Sequence, residues 1–135
     1  MGTEQQMKEF VSGLLNNNLP ASYYYHNLEH TLYVADKVVE IGRNENCSSK
    51  ELELLTVAAL WHDAGFINAY TGHEEAGCLL VKQYLPGYEY TLHEIETISR
   101  MIMATKIPHS PKTKLEEIII DADLESLCTE KKKKK

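Results

Sequence analysis

The most informative stretch of the sequence is residues 54–65, LLTVAALWHDAG, an apolar run that ends in the residues His62, Asp63, Ala64 and Gly65. The run up to Trp61 is typical of a buried helix, and Gly65 supplies a natural stop just after it. A buried imidazole and a buried carboxylate cost free energy unless they are hydrogen-bonded or bound to a cation. His62 and Asp63 therefore mark the end of a core helix as a candidate site.

Two further segments carry side chains that bind transition metals. Residues 25–30, YHNLEH, hold two histidines four positions apart, which share a face if the segment is helical. Residues 120–124, IDADL, hold two carboxylates within an apolar run. Each of these patterns alone is a weak signal. Together with the His-Asp pair, on three separate helices, they predict a metal site built inside a helical bundle.

Composition and charge narrow the class of protein. The 135 residues are 43% apolar and 25% charged, which fits one ordinary globular domain. Five of the 14 basic residues are the terminal lysines, so the first 130 residues hold nine basic and 20 acidic residues, a net charge of −11. An acidic body repels nucleic acid and anionic membrane. Three scattered cysteines without a CxxC pattern favour a reducing, cytoplasmic location.

Hydrophobic spacing predicts helices and no strand. The third helix is capped by Ser48 or Ser49 and runs to about Ala64, and Asn27 is a plausible cap for the second. The other helices lie at about residues 4–17, 27–43, 73–85, 91–105 and 113–128. We therefore predict an all-α fold, a single-domain bundle of about six helices over residues 1–130, followed by a solvated lysine tail at 131–135.

A helical wheel separates the two late carboxylates. At 100° per residue, Asp123 falls between two apolar arcs and close to the core, whereas Asp121 falls on the polar side. Asp123 is therefore the predicted ligand. Glu116 also lies near Asp123 on the wheel, and this position has no explanation from the sequence.

The donor types indicate which cations would fit. Neutral imidazoles and carboxylates together suit Mn, Fe, Zn, Co or Ni. Such a cation activates a water molecule near neutral pH and polarises a phosphoryl oxygen. It would also provide local positive charge for a phosphate substrate on an acidic protein.

The three segments, in this order and with this spacing, resemble the HD-domain superfamily of metal-dependent phosphohydrolases over residues of about 23–127. The resemblance implies that His30, His62, Asp63 and Asp123 are metal ligands, and Asp63 is also counted as a catalytic residue. The segment around His26 resembles that of cyclic-nucleotide phosphodiesterases, in which the first histidine protonates the leaving oxygen. This implies that His26 is the general acid, a role that imidazole suits near neutral pH.

Four further residues are weaker candidates. His73 could bind a second cation, such as Mg²⁺, or simply cap the fourth helix. Glu74 could be a catalytic carboxylate or a first-turn residue favoured by the helix dipole. His109 and Lys106 are candidates for a second metal site or for substrate, although a lysine such as Lys106 is more often a solvated helix residue.

Two classes of function fit these residues. The first is a phosphohydrolase that acts on a nucleotide or another small phosphate ester, by a metal-activated water. The second is a catalytically silent regulatory module that binds a metal or a nucleotide. The full set of ligands together with His26 favours the enzyme. A di-iron HD oxygenase is a third alternative, for which only His73 and His109 are positioned as extra ligands. Self-association into a homodimer is left open.

Overall fold

The described part of the chain folds into six α-helices without a strand, as the hydrophobic spacing predicts. The computed structural model describes residues 2–19, 21–67 and 72–133, and the side chains of residues 5–19, 27–65 and 72–126. The α-helices are α1 (Gly2–Asn18), α2 (Ala21–Asn44), α3 (Ser49–Trp61), α4 (His73–Tyr84), α5 (Leu92–Ala104) and α6 (Lys114–Lys133). Two short 3₁₀ helices, Ala64–Ile67 and Leu85–Tyr88, follow α3 and α4.

The central element of the bundle is α3. Every residue from Leu54 to Trp61 is buried, and the helix packs against all five other α-helices. A helix that is apolar on all sides is stable only when neighbours cover it on all sides. The bundle is therefore wrapped around the segment whose end carries His62 and Asp63.

Aromatic packing anchors this end of α3. Trp61 is fully buried. Its ring stacks on Tyr84 of α4 with centroids 5.8 Å apart, and Phe10 of α1 packs edge-on against the same tyrosine at 4.9 Å. Such pairs add favourable energy to the burial of their apolar area. Trp61 is thus a core residue, and it holds α1 and α4 next to His62.

Two helices begin with a capping box, in which a serine or threonine is followed three residues later by a glutamate. Ser48 accepts a hydrogen bond from the Glu51 backbone, and the Glu51 side chain binds the Ser48 backbone in return. Thr91 and Glu94 form the same reciprocal pair at α5. Each pair satisfies two backbone donors that a helix start leaves unpaired.

Three predicted boundaries are wrong. The second helix starts at Ala21 instead of 27, so Asn27 lies inside it, because the capping preference of a single residue is a weak guide to a helix boundary. The third helix ends at Trp61, before Ala64, because the chain passes into a turn at His62 and Asp63 and then into a 3₁₀ helix from Ala64. The sixth helix extends into the lysine run, to Lys133.

None of the described helices is long and apolar enough to cross a membrane.

Candidate metal centre

Side chains from three parts of the bundle converge on one point. His30 lies in α2, His62 follows α3 directly, and Asp123 lies in α6. One ligand atom from each lies within 4.8 Å of the others. The His30 Nε2 atom is 2.8 Å from Asp123 Oδ1 and 3.3 Å from His62 Nε2. His62 Nε2 is 3.5 Å from the same carboxylate oxygen.

Asp63 adds a second carboxylate to this cluster. Its Oδ2 atom lies 3.3 Å from His30 Nε2 and 3.4 Å from His62 Nε2. The turn that ends α3 lets two adjacent residues face the same point, which a continuous helix would not, since its neighbouring side chains diverge. The structure therefore brings together all four residues predicted as metal ligands: His30, His62, Asp63 and Asp123.

The second ring nitrogen of each histidine has its own partner. His62 Nδ1 lies 2.7 Å from the Ala59 carbonyl oxygen, and His30 Nδ1 lies 2.8 Å from the Ser126 hydroxyl. Because a carbonyl only accepts, His62 carries a proton on Nδ1 and turns Nε2 toward the cluster. Histidines that bind metals are held in this way by partners on the opposite nitrogen.

Burial and the neighbouring charges shift the pKa values of three residues of the cluster. Burial lowers the pKa of His62, but the Asp63 and Asp123 carboxylates outweigh it and raise the pKa to about 9. Burial raises the pKa of Asp63, and the charge on His62 reverses this to a net lowering. The pKa of Asp123 is also lowered, because its hydrogen bond with His30 outweighs burial. Both carboxylates are therefore ionised at neutral pH.

These residues fit a divalent cation. Two imidazole nitrogens face each other at 3.3 Å and share two ionised carboxylates. The opposite nitrogens are hydrogen-bonded elsewhere, so both Nε2 atoms are directed into the cluster. Two nitrogens and carboxylate oxygens form a mixed donor set that suits first-row transition metals such as Mn, Fe, Zn, Co and Ni.

His73 and Glu74 extend the cluster at the start of α4. His73 Nε2 lies 3.4 Å from Asp63 Oδ1 and 3.2 Å from Glu74 Oε2. Burial lowers the pKa of His73, but the hydrogen bond with Asp63 outweighs it and gives a net increase. Asp63 thus faces the histidine pair with one oxygen and His73 with the other. The Glu74 side chain is buried, so it is more than a solvated first-turn residue.

The helical wheel separates the late carboxylates correctly: in the structure Asp123 faces the cluster and Asp121 is exposed. Glu116, the unexplained position, turns back to the loop before α6. Its carboxylate accepts a hydrogen bond from the Lys112 backbone N–H, while its own backbone N–H donates one to Thr113 Oγ1. Glu116 is therefore a helix-start residue.

Among the described side chains, Lys106 and His109 are not joined to the cluster. Lys106 forms an ion pair with Glu75 on an exposed face, and both line a groove of about 1350 Å³ between α4 and α5 that contains none of the cluster residues. His109 is half-buried in the loop before α6. The backbone of His26 lies in α2, one turn before His30, but its side chain is outside the described residues.

Sequence reasoning missed Ser126. A serine in an amphipathic helix gives no signal of its own, and its partner His30 lies 96 positions away. The one usable hint is that Ser126 follows Asp123 by three residues, so that a helix places both on neighbouring positions of one face.

Comparisons with known proteins agree with this geometry. The HD domain family matches residues 27–126, a range that includes the whole cluster. The crystal structure of a predicted HD superfamily hydrolase from an uncultured Thermotogales bacterium superposes with a TM-score of 0.70 at 22% identity, over 86% of this chain and 66% of that one. At this identity the likeness shows the fold, and this chain spans just under two thirds of that protein's length. No curated protein sequence matches this chain.

Proposed function

Because the chain belongs to the HD-domain family, we propose that it is a metal-dependent hydrolase that cleaves small phosphate esters, with nucleotides as the favoured substrates. The observation that carries the proposal is the convergence of two imidazoles and a carboxylate within 4.8 Å. The similar Thermotogales protein is likewise a predicted hydrolase. Phosphate esters fit the site because cleaving them requires an activated water and charge neutralisation at a phosphoryl oxygen.

Four side chains would hold the cation: His30, His62, Asp63 and Asp123. When bound, a transition-metal ion lowers the pKa of a water molecule and stabilises negative charge on a phosphoryl oxygen. The hydrogen bonds from the opposite ring nitrogens, to Ala59 and Ser126, fix the two imidazoles without help from substrate. The protein therefore supplies a preformed donor set, which avoids the entropic cost of ordering ligands on binding.

We assign proton transfer to His26, Asp63 and Glu74, of which Asp63 also belongs to the donor set. His26 would donate a proton to the leaving oxygen, since its backbone position in α2 is one turn from His30. Asp63 would accept a hydrogen bond from the water molecule that attacks the ester, because its carboxylate stays ionised. Glu74 supports this arrangement through His73, whose Nε2 atom contacts both the Asp63 and the Glu74 carboxylate.

His73 also supports the proposal of a second cation beside the first. Its Nε2 atom faces Asp63 Oδ1, the oxygen turned away from the histidine pair. Asp63 and His73 would help to hold such a cation, for which Mg²⁺ or a second transition metal is a candidate. The same residue is the observation that favours a di-iron oxygenase as an alternative, because that chemistry needs ligands beyond the first four.

Phosphate release from a panel of nucleotides and simple phosphate esters tests the proposal. The metal-depleted protein is assayed alone and after addition of Mn²⁺, Fe²⁺, Zn²⁺, Co²⁺ or Ni²⁺, with Asp123→Asn as the negative control. Release that depends on one of these metals and disappears in the variant is the expected result. Metal binding without turnover of any ester would instead identify a regulatory module, and oxygen consumption by the iron-loaded protein would identify an oxygenase.

A further inference from the structure

The imidazole of His30 is held at both nitrogens by the same helix. Asp123 Oδ1 lies 2.8 Å from Nε2, and Ser126 Oγ lies 2.8 Å from Nδ1. Both partners belong to α6 and are three residues apart, so one helical turn carries a carboxylate for one edge of the ring and a hydroxyl for the other. The ring can rotate away from these two contacts only by breaking a buried hydrogen bond.

The contact is secluded from solvent. His30 is 8% exposed and Ser126 is 3% exposed. Removing one partner of a buried hydrogen bond leaves the other unsatisfied, which costs more than the bond itself contributes in water. The Ser126 hydroxyl is therefore a specific constraint on His30 and not an incidental surface contact.

We propose that Ser126 is a positioning residue for the metal site: its hydroxyl fixes the ring of His30 so that Nε2, and not Nδ1, is presented to the cation. The inference rests on the proposed metal site and adds a residue to it. Ser126 would not touch the cation or the substrate, and its effect would pass entirely through His30.

The hydrogen-bond partner of His30 differs in kind from the partner of His62. The Ala59 carbonyl only accepts a hydrogen bond, which keeps the proton of His62 on Nδ1. A serine hydroxyl both donates and accepts. It can accept from Nδ1–H when Nε2 binds a cation, and it can donate to a bare Nδ1 when Nε2–H faces Asp123. Ser126 thus satisfies His30 in either tautomer, without a change in the net charge of the ring.

The chain offers a matched control for the loss of one buried hydroxyl. Ser99 in α5 is 9% exposed, and its Oγ atom has no hydrogen-bond partner among the described residues. Ser126→Ala and Ser99→Ala therefore make the same chemical change at two buried helical positions, and only the first removes a hydrogen-bond partner of the cluster.

The test is the affinity of the metal-depleted proteins for Zn²⁺, measured by competition with a chelator. Ser126→Ala should bind Zn²⁺ about 10- to 100-fold more weakly than the wild type, the range found for partners of metal-binding histidines. Ser99→Ala should bind like the wild type. Equal affinities for all three proteins would overturn the inference and leave the proposed metal site intact. If the wild type binds neither Zn²⁺ nor any other transition metal, the proposed function itself fails.

Ring ¹⁵N NMR of the wild-type protein provides a second measurement that does not depend on how well the variant folds. In the Zn²⁺-loaded protein, His30 should carry its proton on Nδ1 and bind through Nε2. A spectrum with Zn²⁺ on Nδ1 of His30 would contradict the inference. In Ser126→Ala the same signals should broaden or split, because the ring gains a second orientation, while those of His62 should stay unchanged.

Discussion

Gly65 lies in direct backbone contact with His73. A β-carbon added at residue 65 would sit 1.8 Å from the His73 carbonyl oxygen and 2.6 Å from the Gly77 nitrogen. Those atoms belong to the helix backbone, which cannot turn aside as a flexible side chain would. The absence of a side chain at Gly65 therefore sets how closely α4 approaches the end of α3, and with it the 3.4 Å contact between His73 and Asp63.

Gly65→Ala should weaken both the fold and the site. The added methyl group must push the start of α4 away, which separates His73 from Asp63. We expect a loss of about 1–3 kcal/mol in the free energy of unfolding, the usual cost of forcing an extra carbon into packed structure. Urea denaturation measures this loss, and the activity of the folded fraction should fall as well.

Gly13→Ala is the matched control for this change. A β-carbon at residue 13 would meet nothing within 4 Å, and the residue lies inside α1. Alanine should therefore stabilise the helix by about 0.5–1 kcal/mol relative to glycine. If Gly65→Ala were as stable as the wild type, the missing side chain at residue 65 would not be what sets the position of α4.

Replacing each of the two aspartates of α6 in turn should show whether metal affinity depends on Asp123 itself or on the overall negative charge of the helix. Asp123→Asn removes an ionised carboxylate, a proposed metal ligand, that lies 2.8 Å from His30 Nε2. Its affinity for Zn²⁺ should fall by more than about 100-fold, the upper range for residues that only orient a ligand. Asp121→Asn makes the same change two residues earlier on an exposed position and should keep wild-type affinity. Similar losses in both variants would point to a general charge effect.

This pair also shows what the sequence can predict. Period 3.6 in α6 places Asp123 and Asp121 on different faces, because helical geometry alone fixes that difference. Capping pairs such as Ser48 with Glu51 are equally local, so the start of α3 can be predicted from the sequence. Features set by neighbours within a few residues are therefore predictable from the order of the amino acids alone.

Features set by contacts between distant segments are not predictable in this way. Gly65 predicts a helix stop, but its close approach to α4 depends on how two elements pack. Ser126 is part of the site only because α6 docks beside α2. The early start of α2 at Ala21 is a separate failure: Asn27 is a strong cap by propensity, yet it lies inside the helix.

Metal binding should be strongly pH-dependent. In the metal-free protein the pKa of His62 is raised to about 9, so its Nε2 carries a proton at pH 7 that a cation must displace. Asp63 and Asp123 have lowered pKa values and contribute no further protons in this range. Apparent Zn²⁺ affinity should therefore rise about tenfold per pH unit between about pH 6 and 8 and level off above the pKa of His62.

Calorimetry in buffers of different ionisation enthalpy measures the same effect directly. Zn²⁺ binding at pH 7 should release about one proton from the protein cluster. Binding without proton release would show that His62 is already neutral in the metal-free protein, and that the carboxylates do not hold its proton.

His26 should affect turnover much more than metal binding. Its backbone lies one turn before His30 in α2, and it is the proposed general acid without being one of the four cluster residues. His26→Ala should keep its bound metal yet lose roughly 10²–10⁴-fold in kcat, the usual contribution of a positioned general acid. Steady-state kinetics and metal analysis of the same preparation measure both quantities.

The choice of leaving group decides whether the lost function is proton donation. A nitrophenyl ester leaves readily without protonation, so His26→Ala should hydrolyse it nearly as well as the wild type, whereas an alkyl ester should show the full loss. His93→Ala, which removes an exposed histidine of α5, should match the wild type on both esters. An equal loss on both esters, or loss of the metal from His26→Ala, would exclude the acid role and leave His26 as a structural residue of α2.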